Sequence, residues 1–235
     1  MPPIPRPPIG GPPRPTRVPP VLTDGQRHSS ALYLLDAGVG FAFAHARLFP
    51  ELVQHYENRL VVVDTVVNEW RARSANWTMS NGQDPTRDSH LGRAGTYLVT
   101  RGVALPGLTC VTLPEEASIG VGELVDTLAA LHPPITSVGA QNAGECASVW
   151  EGRRRMDAGV AVVVLCADDD RARRLAAATG LGCRCVPQIL AEMVAVGTLT
   201  PSKASDAFKH AVEVSEPRLE LREAFSAPGA FERYA

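Results

Sequence analysis

A chain of 235 residues with 45% hydrophobic content has ample apolar material for one large domain, or for one domain with extensions. A formal charge of −2 and a pI near 6.3 exclude an overall positive field that would draw the chain to nucleic acid, so any RNA contact has to rest on local patches. The five cysteines, Cys110, Cys146, Cys166, Cys183 and Cys185, form an odd set without paired CxxC spacing, which points to reduced thiols and a cytoplasmic setting rather than a disulfide framework.

Ten of the twenty prolines fall within the first twenty residues, MPPIPRPPIGGPPRPTRVPP, which also hold arginines but no acid. Such a stretch cannot join a core, and residues 1–28 are expected to form a disordered proline-rich leader; a polyproline ligand or a basic arm is the alternative. The amino terminus lacks the apolar run of a signal peptide. The longest apolar candidate, GVAVVVLCA, is far short of the roughly 20 residues that span a bilayer, so a soluble protein without a membrane partner is expected.

One domain over residues 30–215 follows. ALYLLD reads as a buried strand and AGVGFAFAHARLF as a helix; LVVVD is a second strand that ends at Asp64 and passes into a helix through VVNEWRAR. Residues 74–140 read as a helical and loop elaboration. It is polar and punctuated to about residue 107, and continues with a strand at TCVTL and an amphipathic helix at VGELVDTLAALH. A helix opening at Asn142 runs through AGECASVWEGRRRM, followed by the strand VAVVVLCAD and a helix over RARRLAAATG. A short strand, CRCVP, leads to the helices QILAEMVAVG and PSKASDAFKHAVEVS, and residues 216–235 are set apart as a carboxyl-terminal extension. Strands that are apolar throughout and alternate with helices predict a three-layer α/β/α fold around a central, mostly parallel sheet.

Four acids are conspicuous by position: Asp36 just after the first strand, Glu69 a turn into the helix after the second, Glu145 near the start of a helix, and Asp168 just after VAVVVLCA. Each has a plain structural explanation. Asp36 and Asp168 suit helix N-caps, Asn142 with Glu145 matches a capping-box spacing, and Glu69 suits a solvated helix face. Caps do not explain, however, why acids abut fully apolar strands in LLDA and VVVLCADDD. Groups at the carboxyl ends of parallel strands converge on one crevice, where clustered carboxylates repel unless a cation compensates. Mg²⁺ or Mn²⁺ is the natural compensator, since hard ions favour carboxylate oxygens and keep waters available for hydrolysis.

The blocks LLDAGVGFAFA, VVDTVVNEW, NAGECASVW and VVLCADDDRARRLAAATGLG resemble, in order, the four acidic blocks of the PIN domain family. CVPQILAEMVAVGTLTPSKASDAF resembles that family's closing strand and helix pair. The likeness runs from about Ala31 to Val214. It implies metal-coordinating, catalytic roles for Asp36, Glu69, Glu145 and Asp168, with Asp169 or Asp170 assisting. It also implies in-line cleavage of single-stranded RNA by a metal-bound water, a small antitoxin-like inhibitor protein that blocks the groove, and a homodimer. The chain departs from the family's pattern at Cys166 and Ala167, where a small hydroxyl residue is often found, and at Gly38.

The arginines near these blocks, Arg71, Arg73, Arg153, Arg154, Arg155, Arg171, Arg173 and Arg174, suit either phosphate contacts or a solvated helix face. His45 and His55 are expected on packed or exposed helix surface rather than in catalysis. The function that results is a toxin-like endoribonuclease dependent on Mg²⁺ or Mn²⁺. Its rivals are a catalytically weak binding or assembly module of the same fold, and another Mg²⁺-dependent phosphohydrolase. Against the second stand the absence of any lysine before Lys203 and of a glycine-rich loop ending in Gly-Lys.

Overall fold

The computed structural model describes residues 31–79, 87–131, 143–166, 175–214 and 219–235. Five strands, β1 (Leu32–Leu35), β2 (Leu60–Val63), β3 (Leu108–Val111), β4 (Val162–Cys166) and β5 (Gly182–Cys185), form one parallel sheet in the order β3-β2-β1-β4-β5. Helices cover both faces, giving the expected three-layer α/β/α architecture. The three central strands are almost wholly buried while β3 and β5 at the edges are partly exposed, which is why the central runs carry apolar residues without alternation.

Alternate side chains of the strands feed two separate cores. Tyr33, Leu35, Leu60 and Val62 face the larger one, built with α1 (Ala37–His45), α2 (Phe49–His55), α3 (Asp64–Met79) and α4 (Arg87–Thr100). Leu34, Val61 and Val164 face the smaller one, which includes Leu128 of α5 (Ala117–Leu131), Val149 of α6 (Ala143–Asp157) and Leu175. Two more helices, α7 (Val186–Ala195) and α8 (Pro201–Val214), complete the larger core. Buried Glu192 of α7 is tied to Arg184 of β5 at 2.9 Å. Cys146, Cys166 and Cys185 lie in the cores, and none of the five cysteines is in a disulfide. Among the described residues, no helix is long and apolar enough to cross a membrane.

Two stretches differ from the sequence reading. The single helix expected over AGVGFAFAHARLF is two, because Arg47 takes a left-handed conformation with φ 59°. Arg47 N donates to Ala44 O and Leu48 N to Phe43 O, the Schellman pattern that ends a helix, here with arginine where glycine is usual. The polar stretch after residue 74 continues α3 to Met79 and then forms α4, whose Leu91, Ala94 and Leu98 are buried at helical spacing. Ser74 and Thr96 join the two helices through a hydroxyl pair at 2.9 Å.

The carboxyl-terminal stretch also contributes to the larger core. Phe225 of α9 (Leu219–Ser226) and Phe231 pack with Phe208 of α8, with ring centroids 5.3 to 6.4 Å apart. Phe231 is fully buried, so Phe231→Ala is expected to cost about 3–5 kcal/mol in urea denaturation. A cost below about 1 kcal/mol would mean that this segment does not belong to the cooperative core.

Candidate functional site

The strand order reverses between β1 and β4, and in parallel sheets such a switch point opens a crevice at the carboxyl ends of the two strands. Asp36 stands at this crevice. The pairing of β1 with β4 runs from Leu32 with Val162 to Leu35 with Leu165, and Asp36 N extends it by donating to Leu165 O at 3.0 Å. The side chain caps α1 as well, Oδ2 accepting from Gly38 N at 3.2 Å. Capping and a site role are compatible here, since a carboxylate has capacity for several donors. Asp36 is only 4% exposed.

Glu69, in the second turn of α3, does not stand on a solvated face. It is half-buried, and its Oε1 accepts from Gly144 N at 2.8 Å. That bond joins α3 to the first turn of α6, where Glu145 is the next residue. Burial pushes the Glu69 carboxyl up to about 7, and the nearby charge of Asp36 adds to the shift, against smaller downward pulls from the Gly144 N–H and Arg73. The thiol of Cys146 is pushed up to about 12 by burial first and then by the charges of Glu145 and Glu69. Glu69 thus senses the charge of Asp36, and Cys146 those of Glu145 and Glu69. Glu145 is half-buried, with Oε2 shielded from solvent.

Two residues that the sequence reading passed over build this arrangement. Gly144 lies so close to Glu69 that a Cβ there would stand 2.6 Å from Oε1, so a side chain at this position would displace the carboxylate from where it now sits. Trp70, next to Glu69, is fully buried, and its Nε1 lies 3.4 Å from Ala37 O, the residue after Asp36. Its ring fills the space a side chain at Gly40 would need, with Cζ2 only 2.6 Å from the Cβ position. Trp70 thus clamps α3 to α1 and holds Glu69 near Asp36. Glycine in a predicted helix start and a lone tryptophan were the available signals, and neither reveals its partner from sequence.

Asp36, Glu69 and Glu145 do not pack as a closed ligand set among the described residues. Among the described residues, the three metal-ligating side chains whose atoms lie within 4.8 Å of one another are His45, His90 and Glu213, at the other end of α1. Asp64, which begins α3, has its carboxylate committed to structure, accepting from Thr65 N at 2.8 Å and Leu113 N at 3.3 Å. Asp168, Asp169 and Asp170 lie outside the described residues, as do Asn142, Arg171, Arg173, Arg174 and the leader 1–28.

No family model, curated protein or solved structure matches this chain.

The remaining arginines divide by partner. Arg154 and Arg155 grip the fully buried Glu151 at 2.7 and 2.6 Å, and although burial alone would raise the Glu151 carboxyl, their hydrogen bonds and charges bring it below its ordinary range. Arg71 donates to Asn68 at 2.8 Å. Arg73 is near enough to Glu69 to act on its ionisation, which puts it beside the crevice. Arg153 lines a separate surface groove with Trp150 and Glu123.

Proposed function

We propose that the chain is a Mg²⁺- or Mn²⁺-dependent endoribonuclease that hydrolyses phosphodiester bonds of single-stranded RNA. The observation that carries this reading is buried Asp36 at the switch point of a parallel sheet, near enough to half-buried Glu69 for its charge to raise that carboxyl. Poorly solvated carboxylates that repel one another favour either protons or a cation. The donors on offer are carboxylate oxygens, the chemistry of Mg²⁺ or Mn²⁺ rather than of softer ions. When bound, such an ion supplies the positive charge that acidifies water and neutralises the charge developing around phosphorus.

The residues of the chain have distinct parts in this reading. Asp36 is fixed at the end of β1 by its backbone bond to β4 and would offer its carboxylate to the cation. Glu69, steadied by the Gly144 N–H, would be a ligand to the cation, its carboxyl being raised by burial in the cation's absence. Glu145 adds negative charge from the start of α6, and Asp168, with Asp169 or Asp170, follows β4 directly in the chain. Arg73 is the described arginine best placed to meet a phosphate. A toxin role, a small antitoxin-like inhibitor, a homodimer and a cytoplasmic location belong to the same proposal and rest on the resemblance to the PIN domain family.

The test is incubation of the purified chain with structured and unstructured RNAs in Mn²⁺, beside Asp36→Asn and Asp168→Asn. Metal-dependent cleavage is expected, reduced by about 100-fold or more in each variant, the scale on which single electrostatic groups act in such sites. Equal activity in all three proteins would overturn the reading. The open spacing of the described acids favours a second reading, a binding or assembly module of the same fold; absence of Mn²⁺ binding in calorimetry would select it.

A further inference from the structure

Three helices bring four polar side chains together at the far end of α1. His45 is the last residue of α1, His90 lies on α4, and His210 and Glu213 lie one turn apart on α8. Asp36 caps the opposite end of α1, about 13 Å away along a helix that rises 1.5 Å per residue. The cluster is therefore separate from the acidic crevice.

Three imidazole nitrogens converge on one carboxylate oxygen. Glu213 Oε2 lies 2.6 Å from His45 Nε2, 3.4 Å from His90 Nδ1 and 3.6 Å from His210 Nδ1. The rings crowd one another, with centroids 4.6 Å apart for His45 and His90 and 5.6 Å for His45 and His210. His90 Nδ1 is shielded from solvent and completes no hydrogen bond among the described residues. Hydrogen bonding to Glu213 accounts for His45, while His90 Nδ1 stands 3.4 Å from the same oxygen without completing such a bond. A cation there would use all of these atoms.

We propose that His45, His90 and Glu213, with His210 at the rim, form a binding site for a first-row divalent transition ion of the zinc class. Two imidazoles and one carboxylate are a recurrent zinc donor set, and imidazole distinguishes this site from the all-carboxylate crevice, which suits harder ions. The ligand atoms already lie within 4.8 Å of one another, so side-chain rotation alone brings them onto one ion. His45, His210 and Glu213 also line a cavity of about 690 Å³ with Arg47, Arg93 and Tyr97. An ion held there would lie beside this cavity, from which water could complete its coordination.

Titration of the tag-free full chain with Co²⁺, followed by visible absorption, tests this. One equivalent is expected to give the intense d–d bands of a four-coordinate ion, bleached by Zn²⁺ and unchanged in Asp36→Asn. Glu213→Gln replaces a side chain that is 44% exposed, so the fold should survive, and affinity should fall by at least about 100-fold, beyond the usual loss of an outer-shell partner. His90→Gln should do the same, with circular dichroism confirming the fold. Absence of d–d bands in the wild-type chain, or equal affinity in Glu213→Gln, would overturn the proposal. Bands that vanish only in Asp36→Asn would overturn it too, by assigning the ion to the crevice.

Discussion

Glu69→Gln is expected to stabilise the metal-free protein at pH 8 by up to about 3 kcal/mol while abolishing Mn²⁺ binding. The folded chain holds the Glu69 carboxyl at about 7, against an ordinary value near 4.5. Between these two values the folded protein therefore carries more protons than the unfolded chain, and stability falls as pH rises through that window. Above about 7 both states are ionised and the cost is complete, about 1.4 kcal/mol for each pH unit separating the two values. Glutamine keeps an oxygen for the Gly144 N–H but carries no charge, so it removes the cost and the cation ligand together. Urea denaturation at pH 8 and pH 4 separates this from ordinary packing effects: the gain should be present at pH 8 and gone at pH 4. Equal stability changes at both values would show that the Glu69 carboxylate is not under electrostatic stress.

Trp70→Ala is expected to destabilise the chain by about 3–5 kcal/mol, as for other buried aromatics truncated in a core. The indole meets Phe49 edge-on at 6.1 Å and leaves no room for a side chain at Gly40. Its loss opens a cavity between α1 and α3 and frees Glu69 from the neighbourhood of Asp36. Trp70→Phe keeps most of the volume and forfeits mainly the Nε1 contact with Ala37 O, worth about 1 kcal/mol. The two variants thus rank together in stability and in Mn²⁺ affinity. A Trp70→Ala protein with wild-type Mn²⁺ affinity would refute the clamp, whatever its stability.

What the sequence discloses follows from how each feature is encoded. The central strands are buried on both faces, so LYLL, LVVV and VVVLC stand out as uninterrupted apolar runs, and the parallel sheet follows from their alternation with helices. Asp36 is legible for the same reason, as the first polar residue after such a run. The burial of Glu69 is not, because it depends on Gly144 and Trp70, whose contacts join residues 75 positions apart in the first case and 33 in the second. The helix α4 was concealed by its glycines and polar residues, although Leu91, Ala94 and Leu98 carried the helical spacing. Arg47 ends α1 in a conformation that its residue type does not advertise. The histidine cluster left one local trace, His210 and Glu213 one turn apart, and tertiary packing alone adds His45 and His90.

The strand order has a kinetic corollary. Strand β1 meets β2 across a short connection, but its other neighbour, β4, is about 130 positions away in sequence, and closing so long a loop precedes any reward from the contact. Asp36 and Glu69 both belong to the early-pairing half of the sheet, whereas Glu145 arrives with the late-docking half. By this reasoning the proposed negative pocket would assemble in two instalments. Until α6 docks, solvent can still screen the first two carboxylates, so their repulsion reaches full strength only at the final step.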